Sequence, residues 1–62
     1  MNYEELYNKI HKELFATLWE LQNTNPTHEL KVFLQTKLEV CYNLIGDTLD
    51  DDWHKQIEKA LE

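Results

Sequence analysis

The sequence predicts an all-α protein, a three-helix antiparallel bundle made of a helical hairpin and a shorter third helix. Three observations carry this. Apolar residues recur at spacings of three and four along most of the chain. Two groups of turn formers, 23–27 and 46–48, interrupt that pattern. The alternation that a half-buried strand needs is absent, and the single glycine leaves little turn chemistry for hairpins. The expected helices cover about 3–22, 26–45 and 49–61, within one domain spanning residues 1–62.

The first helix is read from Tyr3, Leu6, Tyr7, Ile10, Leu14, Leu18 and Leu21. Asn2 is its expected N-cap, and Glu4 and Glu5 suit the positive end of the helix dipole. At about 100° per residue its apolar arc is roughly 200° wide. Tyr3, Ile10, Leu14 and Leu21 form the centre of that arc, and Phe15 and Trp19 form a separate flank. The flank has two readings. Either helices two and three occupy different sides of helix one, or Phe15 and Trp19 meet another chain, since aromatic residues are enriched at interface centres.

For the second helix, Asn25 is the expected N-cap and Pro26 the first helical residue. Gly46 stands where a left-handed C-terminal residue is wanted. Leu30, Leu34, Leu38, Cys41 and Ile45 make one facet, and Phe33, Val40 and Leu44 make a second. Lys37 projects between the facets. Burying its ammonium alone would be costly, so it either snorkels to solvent or pairs with an acid on another helix or another chain. Val32 and Tyr42 read as scattered surface residues.

For the third helix, Thr48 and Asp51 have capping-box spacing, and Asp50, Asp51 and Asp52 crowd the first turn. Leu49, Trp53, Ile57, Ala60 and Leu61 form one stripe.

Composition narrows the function. Among 62 residues there are 12 acids and 6 bases, all lysine, for a formal net charge of −6. Phosphate binding needs basic residues, and arginine supplies the commonest base contact. Nucleic acid and anionic membrane are therefore not expected partners. The start of the chain is acidic and lacks the basic, apolar pattern of a secretion signal, and no apolar run is long enough to span a bilayer. The expected location is the cytoplasm, with Cys41 reduced.

No pattern for catalysis or a cofactor emerges. Cys41 lies among apolar positions with no base nearby, so it reads as a core residue. His11, His28 and His54 fall on three segments and read as surface residues, with His11 close to the Phe15 flank. Asp47, Asp50, Asp51, Asp52 and His54 form the densest polar cluster. Helix capping explains the aspartates without a divalent cation, and the spacing is not that of an EF-hand. They also make a negative patch, which argues against a helix-turn-helix reader and only weakly for a DNA mimic.

A chain this short buries only about 60% of its unfolded surface and is marginal alone. Its apolar residues nonetheless spread over more than one face per helix. The expected function is a small acidic, non-enzymatic, helical protein-interaction module, a bacterial or phage-type regulator or inhibitor. Phe15, Trp19, Phe33, Val40 and Leu44 are its expected contact residues. The alternative is an obligate homodimer in which the surplus surface meets itself.

Overall fold

The computed structural model describes residues 2–62, and among them all regular structure is helical. Helix α1 spans Tyr3–Asn23, α2 spans His28–Ile45, a 3₁₀ turn covers Gly46–Thr48, and α3 spans Asp51–Ala60. Helices α1 and α2 form the antiparallel hairpin. Tyr7, near the start of α1, meets Thr48 just past the end of α2, and Glu13 meets Lys37 midway. Helix α3 returns alongside both, with Phe15 against Trp53, Tyr42 against His54, and Gln35 at the α3 C-terminus.

The core is small and continuous. Leu14, Leu18, Leu38, Cys41, Ile45 and Ile57 form one buried cluster, with Tyr7, Ile10, Phe15, Leu21, Leu49 and Trp53 packed around it. Leu34 is buried as well. One polar side chain, Thr17, is also buried, and its hydroxyl donates to the Glu13 carbonyl one turn back at 2.7 Å. That bond satisfies the hydroxyl within its own helix, so no partner is needed from the core. Tyr3, at the N-terminal end of the apolar arc, is 89% exposed and takes no part in the core.

Three helix ends differ from the sequence expectation. Asn2 caps α1 as expected, its side-chain oxygen accepting from the Glu4 N–H at 3.0 Å. At α2, however, Thr27 is the N-cap in place of Asn25, and Pro26 stays in the loop. The Thr27 hydroxyl accepts from the Leu30 N–H and its carbonyl from the Lys31 N–H. Both candidates carry a capping oxygen, but the chain must first cross from α1 to α2, and residues 24–27 make that crossing, with Thr24 and Thr27 extended. Proline also favours an extended residue before it.

Gly46 has φ −56° and ψ −33°, so it is right-handed and not the left-handed terminator expected. Its requirement is space. A Cβ at Gly46 would lie 3.0 Å from two ring atoms of Tyr42, and the chain passes close over that ring into the 3₁₀ turn. The third difference is at α3, where Asp50 replaces Thr48 as N-cap and accepts from the Trp53 N–H at 3.1 Å. The 3₁₀ turn already uses Thr48: its hydroxyl donates to the Ile45 carbonyl and contacts the Tyr7 hydroxyl, each at 2.7 Å. Leu49 consequently precedes α3 and packs from the loop.

The Cα extents are 36 × 25 × 16 Å. The shortest dimension corresponds to two helix layers, since helices pack about 8–10 Å apart. The hairpin is one layer and α3 the other. The hairpin face away from α3 therefore has no helix over it.

Candidate interaction surface

The apolar surplus is concentrated on α2. Among the described residues, the exposed large hydrophobics are Tyr3, Leu6 and Trp19 on α1 and Leu30, Val32, Phe33, Val40 and Leu44 on α2. At about 100° per residue, Leu30, Phe33, Val40 and Leu44 fall within an arc of about 80°. Tyr42 and Gln35, which hold α3, point to nearly the opposite side of α2. The strip therefore lies on the open hairpin face. Phe33 and Leu44 are each 63% exposed and Val40 54%.

Lys37 lies in the middle of this strip. Its ammonium is 2.7 Å from a Glu13 carboxylate oxygen, an ion pair across the hairpin. Of the two readings of this lysine, pairing with another helix is the one realised. The hydrogen bond and the charge of Glu13 raise the Lys37 pKa, and Lys37 in turn lowers that of Glu13. Both side chains remain about half exposed, so water screens the pair and its contribution to stability is modest. Its local effect is to cancel the one charge within the strip.

Phe15 and Trp19 do not join this surface. They face the groove between α1 and α3. Residues Tyr7, His11, Phe15 and Trp19 recur every fourth position, which makes a row of rings along α1. His11 lies 5.7 Å from the Tyr7 ring and 4.5 Å from Phe15, and Phe15 meets Trp53 edge-on at 4.4 Å. Phe15 is thus half-buried beneath α3, and Trp19 continues the row at 59% exposure. The five expected contact residues consequently divide between two surfaces.

Three residues read as surface residues from the sequence, His11, Tyr42 and His54, are part of the packing. His11 is half-buried in the aromatic row. Tyr42, also half-buried, has its hydroxyl hydrogen-bonded to Nδ1 of His54. Desolvation raises the Tyr42 pKa, with the charges of Glu58 and Asp47 adding to it, so the phenol keeps its proton. His28 is exposed at the start of α2. Gln35 and Gln22 went unremarked in the sequence, yet both fasten α3. Gln35 donates to the carbonyls of Ala60 and Glu62, and Gln22 donates to Gln56. Neither has a sequence signal, because a glutamine on a helix face carries no information about which backbone end will reach it.

Asp47, Asp50, Asp51 and Asp52 are all exposed at the corner between α2 and α3. Asp50 caps α3, Asp51 and Asp52 occupy its first turn, and Asp47 lies in the 3₁₀ turn. Among the described residues, no three His, Cys, Asp or Glu side chains converge to hold a metal ion. Cys41 is buried, and desolvation raises its pKa, which keeps the thiol protonated. No helix among the described residues is long and apolar enough to cross a membrane. No protein-family model, curated protein or solved structure matches the chain.

Proposed function

We propose that this chain is a small, non-enzymatic, helical protein-interaction module acting in the cytoplasm. Its contact surface is the outward strip of α2, formed by Leu30, Phe33, Val40 and Leu44. The observation that carries this reading is the placement of the strip: four apolar side chains in line, on the face that α3 leaves open. Apolar surface of this kind is stabilised by covering it, and contiguous exposed patches mark interaction sites. Three of the groups with reactive chemistry are engaged within the fold, which supports a binding role over catalysis. The Cys41 thiol is buried, His54 is hydrogen-bonded to Tyr42, and Lys37 is paired with Glu13. A regulator or inhibitor that works by occupying its target is the role this surface fits, with the aspartate corner as an acidic rim.

The experiment is affinity capture with the wild-type chain and with a Phe33→Asp variant as baits, followed by identification of the bound proteins. Phe33 is largely exposed, so the variant keeps the fold. A protein retained by the wild type and lost from the variant is expected. Equal retention by both baits would remove the strip from the interface. Trp19 is tested in the same format. If the α1–α3 groove also binds, Trp19→Ala lowers retention while leaving the thermal midpoint nearly unchanged, since an exposed ring contributes little to the fold.

A further inference from the structure

We infer that the occupant of the α2 strip is a second copy of this chain, docked with the two α2 helices antiparallel. The inference rests on the reading of that strip as a contact surface. Two observations select a copy of the chain.

The first is spacing. Phe33, Lys37, Val40 and Leu44 are separated by four, three and four residues, a pattern that reads the same in both directions. It is a heptad seam, with Lys37 and Leu44 at one type of core position and Phe33 and Val40 at the other. When two such seams run antiparallel, each position of one type lies beside one of the other type. Phe33 of one copy then packs against Leu44 of the second, and Lys37 against Val40, and the two-fold axis repeats both layers. One patch meets itself, as an isologous dimer requires. A parallel pairing would oppose Lys37 to Lys37 and Glu29 to Glu29, and would align the helix dipoles.

The second observation is charge. A chain of net charge −6 can meet itself only where its own charge is low. The strip satisfies this. Its one ionised group, Lys37, is neutralised by Glu13 of the same chain. The outer flank of the seam carries Thr36 and Asn43, both uncharged. The acids around it are Glu29 before the seam, Asp47 after it, and Glu20 on α1, whose charge also acts on Lys37. Leu6 lies seven residues before Glu13 on the same side of α1, and its side chain is exposed as well. Back-to-back docking would place the two hairpins at the centre and the two α3 helices outside.

Salt gives this assembly a distinguishing sign. Two bodies of like charge repel, so raising ionic strength tightens the dimer. A complex with a basic partner through the acidic rim would weaken instead.

Sedimentation equilibrium of the full chain, at low and high salt, tests the inference beside Phe33→Asp and Leu44→Asp. Both positions are largely exposed, and circular dichroism confirms that each variant remains helical. The expected result is a wild-type dimer that tightens with salt, and a dissociation constant at least about tenfold weaker in both variants. Oxidation then reads the register. A mixture of Phe33→Cys and Leu44→Cys chains should yield a disulfide-linked heterodimer, whereas each variant alone should not link.

A wild-type chain that stays monomeric at its highest soluble concentration overturns the dimer and leaves the strip as a surface for another protein. Self-linking by each cysteine variant alone overturns the antiparallel register. A dimer unaffected by either aspartate overturns docking through the α2 strip, and the capture comparison with Phe33→Asp then decides by itself whether the strip is a contact surface.

Discussion

Gly46 and Cys41 show how much a residue's role depends on what is packed beside it. Glycine after a helix ordinarily signals a left-handed turn, but Gly46 is right-handed and is placed where the Tyr42 ring passes within reach of a Cβ. Tyr42 is tethered through its hydroxyl to His54, so its ring cannot move away freely. Gly46→Ala is therefore expected to destabilise by about 1 kcal/mol, the contact outweighing the gain that alanine otherwise brings by restricting the unfolded chain. Urea unfolding of the variant decides the sign, and a stabilised variant would show that the ring yields. Cys41 gives a second expectation. Its burial and raised pKa keep the reactive thiolate scarce in the folded chain. Labelling by a thiol reagent should follow the rate of opening, accelerate steeply in urea, and be slow in its absence. Fast labelling under native conditions would mean that the thiol is accessible.

At the scale of elements, the helices were legible in the sequence while their ends and neighbours were less so. Period and turn formers located α1, α2 and α3 to within about two residues, the usual uncertainty of helix boundaries. The caps were ambiguous for a physical reason: Asn25 and Thr27 both offer an oxygen, as do Thr48 and Asp50, and the path of the connecting chain selects between them. Asp50→Ala should cost about 1 kcal/mol through loss of the α3 cap. Thr48→Val should also destabilise, by loosening the 3₁₀ turn from Ile45 and the turn from Tyr7. Thermal melts of the two variants check both, and α3 helicity should fall only with Asp50→Ala. The candidate surface was half legible. Helical spacing marks the second facet of α2, but spacing does not say which face a neighbouring helix takes. Phe15 and Phe33 look alike as flanking aromatics, and only the docking of α3 separates them, half-burying the first and leaving the second open.

At the scale of the whole molecule, the hairpin is tied midway by Glu13 and Lys37, and the tie has a defined pH window. The Glu13 pKa is lowered, so its part is in force at neutral pH and is lost as pH falls through that lowered value. The Lys37 pKa is raised, so its part persists until pH climbs through that raised value. Lys37→Met should accordingly separate from the wild type in urea midpoint more at neutral pH than in acid, and by a small amount that added salt reduces. A gap that does not narrow in acid would assign the effect of Lys37 to its hydrocarbon stem.

The same scale shows how unequally the parts are held. Helix α3 is the shortest helix, and much of its attachment consists of Ile57 in the core, two ring contacts, and a few side-chain hydrogen bonds. The hairpin keeps most of its own apolar contacts without it. Opening should therefore begin there, as a sub-global fluctuation that swings α3 away before the hairpin melts. Amide exchange would record this as weaker protection in residues 51–60 than in the middle of α1 and α2, and the fluorescence of Trp53 would change earlier in a denaturant series than the helical signal. In that open form Phe15 and Ile57 lose their cover, so the second layer of the slab is a detachable shield over a latent apolar face.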